Sequence, residues 1–482
     1  MENLTKRVPL INKLILKNID EKSRVNFKQS SRGINRVLDK ERIYWILKLN
    51  RYQGNFKEFK ESWKMVNFKT PVDNVKQLAI AVENFFNRLA RRIDKQWHPL
   101  FIGAEQGSLV LCKLIIEKTK DKNPKRVEDG FTPIQIAAQE GHVEVYQFLA
   151  SNLENKNPGD NDGWTPLHTA AVQGHTKVCS LIMKNLTNKN PRDNNGWTPL
   201  HSAAGNGYTN ICTLLIETLA DKNPGSNDGW TPLHSAAENA HTNICTLIME
   251  ALVDKSPGNI NGWTPLHLAA SEGHTKVCSL IMENLTNKNP RDNDGWTPLH
   301  SAAQNGRSDL CSLIMETLLD KNPGTNDGWT PLHSAAANGG AKVCSLIMEK
   351  LPDKNPGNIN GWTPLHCAAK NWYSKICILF MKALVDKNPN RNNGWTPLHS
   401  AAKNGHFEVC RLIMETIVDK NPRKNNGWTP LHSAANSGHL EICKLICNGI
   451  TEKNPITNSG QTPISLAQAK GYMDIVSFLE NM

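Results

Sequence analysis

The stretch Gly163-Trp164-Thr165-Pro166-Leu167-His168 decides the fold, because it returns every 33 residues along most of the chain. Identical copies begin at Gly163, Gly196, Gly229, Gly262, Gly295, Gly328, Gly361, Gly394 and Gly427. Degenerate copies lie near Trp97 and begin at Gly130 and Gly460. A fixed period of this length is typical of repeat proteins, in which each unit buries its apolar face against its neighbours. The sequence therefore predicts about twelve repeats from near Trp97 to the C-terminus.

One unit contains the signals for two short helices and a turn. Thr165 is suited to an N-cap, and Pro166 fits the first helical position, where its missing N–H costs nothing. Gly174 predicts a left-handed end to the first helix. Apolar residues spaced three and four apart from Val178 onward predict a one-sided second helix. Asn-Pro then breaks that helix, and Asn-Gly or Asp-Gly closes a hairpin.

The 33-residue period, the Thr-Pro-Leu-His tetrapeptide, the Ala-Ala pair and the glycine before the second helix resemble the ankyrin repeat. The resemblance covers roughly four-fifths of the chain. It implies an all-α solenoid of helix-turn-helix-hairpin units that binds another protein through its hairpin tips and first helices. The chain departs from the family at the end of the second helix, where Leu285 and its equivalents replace the usual glycine.

The net charge of +11 is unevenly distributed. Residues 1–97 hold 22 basic and 10 acidic residues, and the remainder of the chain is close to neutral. The overall charge is therefore no argument for nucleic-acid binding by the repeats. No apolar run reaches the roughly 18 residues of a membrane span, and Leu14-Ile15-Leu16 is too short for a signal peptide. These features predict a cytoplasmic or nuclear protein, in a host cell if the source is a virus.

The repeated cysteines and histidines predict packing residues and no active site. Nine cysteines recur every 33 residues in the same apolar stretch, which predicts buried free thiols. The histidines from His168 to His432 are expected to bond their own N-cap threonine and the adjacent hairpin. Catalysis needs one converging set of groups, so the sequence predicts no enzyme, no cofactor and no metal site. The tryptophans from Trp164 to Trp428 are interpreted as rings that pack on one another along the hairpin bases.

Residues 1–95 do not repeat, and their first half resembles an F-box. The resemblance rests on a proline start (Pro9), an apolar first helix, a second helix and a closing tryptophan (Trp45). The apolar residues of the first helix are Ile11, Leu14, Ile15 and Ile19, and Val25 belongs to the second helix. It implies that these residues bind a Skp-type adaptor and, through it, a cullin ubiquitin ligase. Residues 1–50 are then a small helical domain, residues 51–95 a helical bridge, and residues 96–482 the repeats. A basic helical cap on the first repeat and a nucleic-acid or acidic-membrane contact remain open alternatives.

Positions that vary between near-identical repeats are the best candidates for target binding. Residues after the Ala-Ala pair include Glu238, Gln304, Lys370 and Lys403. Trp372 and Tyr373 stand where other repeats have Gly-His, as an exposed anchor or as a drifted turn. The sequence thus favours a substrate-recognition subunit of a cullin-type ligase. The alternative is an ankyrin scaffold or tether without a ubiquitin link, acting on a host if the source is a virus or an intracellular parasite.

Overall fold

The computed structural model describes residues 99–116 and 119–482, and this part of the chain consists of short paired α-helices. The predicted F-box-like segment and the bridge lie outside the described residues, as do Trp97 and every adaptor-binding candidate from Pro9 to Trp45. No strand is assigned in residues 99–116 and 119–482, so the hairpins of the sequence analysis are turns here. Among the described helices, none is long and apolar enough to cross a membrane.

The chain divides into two compact units, Met1–Ala220 and Asp221–Met482. The described helices of the first unit form four pairs, which are α1 (Pro99–Glu105) and α2 (Leu109–Ile116), α3 (Pro133–Gln139) and α4 (Val143–Ser151), α5 (Pro166–Val172) and α6 (Thr176–Lys184), and α7 (Pro199–Gly205) and α8 (Thr209–Thr218).

The second unit contains eight pairs, which brings the described region to twelve helix pairs. The pairs are α9 (Pro232–Glu238) and α10 (Thr242–Glu250), α11 (Pro265–Glu272) and α12 (Thr275–Glu283), α13 (Pro298–Gln304) and α14 (Ser308–Thr317), α15 (Pro331–Ala337) and α16 (Ala341–Lys350), α17 (Pro364–Lys370) and α18 (Ser374–Ala383), α19 (Pro397–Lys403) and α20 (Phe407–Thr416), α21 (Pro430–Asn436) and α22 (Leu440–Asn448), and α23 (Pro463–Lys470) and α24 (Met473–Glu480).

Within each unit the core is a layer of small residues between helices. The first helix of each pair packs on the first helix of the next, and on the second helix of its own pair. Leu332, Ala335 and Ala336 of α15 are fully buried, and their counterparts repeat this pattern in the neighbouring pairs. Alanine side chains let helix backbones approach closely, while Cys344 and Ile347 of α16 close the core from the other side. The all-α repeat fold predicted from the sequence is confirmed.

At most repeat boundaries an asparagine caps the first helix that follows. Asn355 Oδ1 accepts a hydrogen bond of 3.0 Å from Leu365 N–H, one of the amides that an isolated helix start leaves unpaired. Seven further asparagines make the same bond at 2.9–3.2 Å, namely Asn157, Asn190, Asn223, Asn289, Asn322, Asn388 and Asn421. Ser256 occupies this position between α10 and α11, and its buried hydroxyl has no hydrogen-bond partner in the described structure.

A lysine closes the end of the second helix, where the sequence lacks the usual glycine. Lys354 Nζ donates to the carbonyl oxygens of Met348 (2.7 Å) and Leu351 (3.2 Å). The ammonium thereby pairs terminal carbonyls and opposes the negative end of the helix dipole. Other repeats use the same contact, with Lys189, Lys288, Lys321, Lys387, Lys420 and Lys453. The lysine side chain thus caps the helix end in place of the glycine, in left-handed conformation, that usually does so.

Candidate functional site

In eight of the nine Thr-Pro-Leu-His copies, the structure shows the histidine joining two repeats of the same unit through a buried imidazole. In α15, Thr330 N–H donates to His333 Nδ1 over 3.1 Å, and Thr330 Oγ1 lies 2.8 Å from the same atom. A backbone N–H can only donate, so Nδ1 is the acceptor and the ring proton lies on Nε2. Nε2–H then donates to the carbonyl oxygen of Trp362, 29 residues further on (2.8 Å). This confirms the bonding predicted for the histidine column.

Burial keeps this imidazole neutral. It lowers the pKa of His333 to about 4, although the bond to Trp362 and the negative charge of Asp327 act in the opposite direction. The pKa of His399 falls further, to about 3, for the same reason and because Lys424 adds positive charge nearby. A neutral ring that is committed to three hydrogen bonds cannot exchange protons with a substrate. The column therefore maintains the spacing of the repeats.

The tryptophan that precedes this motif also has a structural role, with different partners from those expected. Trp329 lies against His333 with ring centroids 4.9 Å apart, and its Nε1–H donates to Ser334 Oγ over 3.0 Å. Equivalent Trp–His contacts of 4.8–5.5 Å occur in all nine identical copies. The prediction that the indoles pack on one another is wrong in the described residues, because the imidazole four residues later occupies that position.

Each hairpin turn is usually closed by a short polar side chain. Asn358 Oδ1 accepts the N–H of Trp362 over 2.9 Å, which holds the turn four residues wide. A side-chain oxygen at the equivalent position does the same at 2.7–3.1 Å in seven other turns, from Asp160, Asp193, Ser226, Asn259, Asp292, Thr325 and Thr457. The two turns that precede α19 and α21 differ, since Arg391 and Lys424 occupy this position.

These two cations lie over tryptophan rings. The Arg391 guanidinium carbon is 4.4 Å from the centroid of the Trp362 ring, and Lys424 Nζ is 5.3 Å from that of Trp395. In each of these two repeats, the lysine at the end of the first helix approaches the same tryptophan ring as the turn cation does. Lys370 Nζ lies 5.8 Å from Trp362, and Lys403 Nζ lies 5.9 Å from Trp395. Such contacts combine an aromatic face with a concentrated positive charge.

We call the six residues Trp362, Lys370, Arg391, Trp395, Lys403 and Lys424 the cationic patch. It consists of one arrangement repeated after 33 residues, with a tryptophan between a helix-end lysine and a turn cation. Burial lowers the pKa of Arg391, and burial together with Lys403 lowers that of Lys424. The Nε of Arg391 is buried without a hydrogen-bond partner in the described structure. None of the four cations forms an ion pair among residues 99–116 and 119–482.

The charge of the second unit changes sign where the patch begins. Residues 229–360 hold 9 basic and 13 acidic residues, whereas residues 361–440 hold 10 basic and 4 acidic residues. Glu238, the first predicted target-binding residue, lies on the acidic side at the end of α9. Its pKa is raised by burial and by the nearby carboxylate of Glu272. Gln304 is exposed at the equivalent position of α13.

Trp372 adds an exposed aromatic ring beside the cationic patch. It replaces the glycine that follows a first helix and keeps that glycine's left-handed backbone, with φ at +63°. Its side chain is 65% exposed and stacks on His406, with ring centroids 6.0 Å apart and planes 7° apart. His406 Nε2 in turn lies 2.8 Å from the carbonyl oxygen of Lys370. The exposed indole is therefore held against the end of the helix that carries a patch lysine.

Tyr373 differs from its neighbour Trp372, although both depart from the Gly-His of other repeats. It precedes α18 with φ at −84°, and its ring is half-buried. A side chain added at Gly339 would meet this ring at 2.9 Å, so Tyr373 packs against the turn of the preceding repeat. Of the six predicted target-binding residues, the structure thus brings together Lys370, Lys403 and Trp372. Arg391 and Lys424 complete the group, and their signal in the sequence is the loss of the turn's usual acceptor.

The buried thiols give no chemistry of their own. All twelve cysteines are free and buried, as predicted for the nine that recur every 33 residues. Burial raises the pKa of Cys344 to about 12, and that of Cys367 equally, although Trp362 donates to its sulfur over 2.7 Å. Thiols in this state are poor nucleophiles and poor metal ligands. No group of three metal-ligating side chains occurs within the described residues.

Helix pairs of this kind, most of them capped by Thr-Pro and joined to a neighbour through a buried histidine, define a helical repeat protein that presents its turns and helix ends for binding. The family model "Ankyrin repeats (3 copies)" matches the chain in overlapping segments, at residues 72–160, 100–193, 180–257, 247–323, 285–358, 312–389, 343–423, 375–455 and 414–481. The chain belongs to the ankyrin-repeat family. A search of curated proteins found no match. Because the family match begins at residue 72, it covers part of the segment interpreted as a bridge and none of the F-box-like segment.

Proposed function

We propose that the chain is a protein-recognition subunit whose repeats bind a target through the cationic patch and Trp372. Ankyrin repeats are protein-interaction modules, and the family match supports that role for residues 72–481. The observation that carries the choice of surface is Trp372. A bulky residue at positive φ is strained by about 1–3 kcal/mol, and strain of this kind is typical of functional positions. An exposed tryptophan is also a frequent anchor in protein interfaces.

We further propose that residues near Pro9 to Trp45 attach the bound target to a Skp-type adaptor and a cullin ubiquitin ligase. This step rests on the sequence pattern alone, with Ile11, Leu14 and Ile15 as the apolar contacts. The ligase would supply the chemistry, and the repeats would supply proximity to the target. Such a role places the protein in the cytoplasm or the nucleus, where cullin ligases act.

Calorimetry with the full chain and a purified Skp-type adaptor, at physiological salt, tests the ubiquitin link. We expect a dissociation constant in the micromolar range or tighter, with binding lost in Leu14→Asp and in Ile15→Asp. Lys13→Gln is the matched control, since it changes the charge of the same segment but removes no apolar contact, and we expect it to bind normally. If the folded wild-type chain does not bind the adaptor, the ubiquitin link is wrong.

The second candidate function is a scaffold or tether without any ubiquitin link. The observation that favours it is that the family match and the described helices account for the repeats without residues 1–71. A scaffold would bind its target through the repeats as above and would not bind the adaptor. Nucleic-acid binding through the basic residues 1–97 would differ again, because its affinity would fall steeply with salt concentration.

A further inference from the structure

The cationic patch has properties that point to the chemistry of the target. Four cations converge on two neighbouring rings, and no carboxylate in the described residues pairs with any of them. Placing like charges close together is unfavourable in the free protein. Lys403, whose charge lowers the pKa of Lys424, and Lys424 itself therefore stand to gain when a partner brings negative charge to the patch.

The two turn cations also replace an interaction that the fold would otherwise make. In eight turns a side-chain oxygen pairs with the N–H at the turn's end, as Asn358 does with Trp362. With Arg391 and Lys424 in this position, Trp395 N–H and Trp428 N–H bond instead to Asn393 and Asn426, each over 3.1 Å. The near-identical repeats show that an acceptor fits this position, so neither cation is required for the turn to form.

We propose that the cationic patch binds an acidic segment of the target protein, with Trp372 in contact with an apolar side chain of the same segment. This inference rests on the proposed function and names the class of partner. Carboxylates would pair with the guanidinium and ammonium groups above Trp362 and Trp395. The ring of Trp372 supplies apolar contact area beside those charges.

The location of the patch limits where the acidic part of the segment can bind. The turn cations belong to consecutive repeats, which are separated by about 8–10 Å. An extended chain advances roughly 3.3 Å per residue, so carboxylates about three residues apart would reach both. The preceding repeats carry excess negative charge, with Glu238 and Glu272 close enough to influence each other. A uniformly acidic segment that continued over those repeats would be repelled, so the acidic stretch is short.

Selection from a phage library of random 12-residue peptides on the full chain tests this proposal. The patch variant carries Lys370→Glu, Arg391→Glu, Lys403→Glu and Lys424→Glu. Because residues 1–97 are also basic, clones that the patch variant retains are removed by counter-selection. We expect the remaining peptides to be enriched in Asp and Glu with at least one apolar residue. The best peptide, synthesised with a fluorophore, should bind the wild type at least tenfold more tightly than the patch variant.

A matched control separates the patch from general charge. Lys276, Lys350, Lys375 and Lys382 are exposed on second helices, and their replacement by Glu changes the net charge by the same amount. We expect this control to bind the peptide within about twofold of the wild type at 150 mM salt, and both variants to unfold at the same denaturant concentration as the wild type. An equal loss of affinity in the control would overturn the proposal.

The remaining outcomes are equally decisive. Selected peptides without acidic enrichment would overturn the proposal, while protein recognition by another part of the repeats would stand. A 20-nucleotide polyuridine is the nucleic-acid probe. If it binds the wild type more tightly than the peptide does, and the patch variant does not bind it, the patch is a nucleic-acid site and the proposal is overturned. If the chain selects no peptide, the proposed protein recognition by the repeats fails too, whereas adaptor binding is measured separately.

Discussion

Trp372 and His406, from adjacent repeats, stack with nearly parallel rings, with ring centroids 6.0 Å apart and planes 7° apart. The stacking holds an exposed indole on a left-handed backbone that glycine occupies in most other repeats. Because Ala240 occupies the same position at φ +61° with a small side chain, the chain contains its own control for backbone strain.

Ala240→Gly should raise the free energy of unfolding by about 0.5–1 kcal/mol, because it removes a side chain from a left-handed position. Trp372→Gly also removes a side chain from a left-handed position, but it loses the stacking on His406. We therefore expect its free energy of unfolding to change by less than about 1 kcal/mol. Denaturant unfolding of both variants measures this. Only Trp372→Gly should weaken binding of the selected peptide, by tenfold or more. Equal binding by both variants would show that Trp372 is a drifted turn residue.

Arg391→Asn should separate stability from binding. It installs the side chain that Asn358 presents one repeat earlier, where Oδ1 accepts the N–H of Trp362 over 2.9 Å. The variant also removes a guanidinium with an unpaired buried nitrogen. We expect the free energy of unfolding to rise by about 0.5–1 kcal/mol and the affinity for an acidic peptide to fall. Asn358→Arg is the reverse exchange. A marked loss of stability in Arg391→Asn would mean that the cation supports the fold.

Acidification should unfold the repeats between pH 6.5 and pH 4. The folded-state pKa of His333 is about 4, below the roughly 6.5 of an unfolded histidine, so the unfolded chain binds more protons in this range. The stability contributed by the neutral ring is therefore complete above pH 6.5 and is lost as the pH falls. From pH 7.5 to pH 5 the loss is about 2 kcal/mol per histidine that unfolds in the same cooperative step.

The second repeat supplies the control for this pH dependence. Gln135 replaces the histidine there, accepts Thr132 N–H over 3.0 Å and donates to the carbonyl oxygen of Trp164 over 2.6 Å. His333→Gln should keep both bonds and remove one titrating group. Denaturant unfolding at several pH values should then show a shallower decline of stability below pH 6.5. An unchanged slope would contradict the assignment of the pH dependence to the buried imidazoles.

Ser256→Asn should stabilise the second unit. Asparagine at this position in the next repeat, Asn289, accepts the N–H of Leu299 over 3.1 Å, whereas the Ser256 hydroxyl is buried without a partner in the described structure. We expect about 1 kcal/mol of additional unfolding free energy, comparable with the gain of a helix N-cap. Asn289→Ser should lose a similar amount. No change in either variant would show that this asparagine contributes nothing to the cap.

Most of the fold could be predicted from the sequence because each repeat contains its own local signals. Thr330 and Pro331 start a helix, and a glycine at φ +83°, Gly339, follows it. The bonding of His333 follows from the geometry of a capping box closed by an imidazole. Because these interactions span three or four residues, or one repeat of fixed length, a periodic sequence specifies them.

The candidate site could be predicted only in part. Lys370 and Trp372 are visible as departures from the repeat pattern. The position of Arg391 over the Trp362 ring is not, because the contact joins a turn to a residue 29 positions earlier across the stack. The ring partner of each tryptophan was likewise invisible, since an indole can pack on another indole or on the imidazole four residues later. Lys354 caps its helix through three-dimensional proximity, which the missing glycine alone does not reveal.

Hydrogen–deuterium exchange of the full chain, with and without the selected peptide, measures directly where the repeats bind their target. We expect slower exchange in the two turns that carry Arg391 and Lys424, and in the segment around Trp372. The turn that carries Thr457 has the usual side-chain acceptor and should exchange unchanged. Protection confined to the turns before residue 361, or equal protection in the peptide-bound patch variant, would contradict the claim that this patch is where the repeats bind their target.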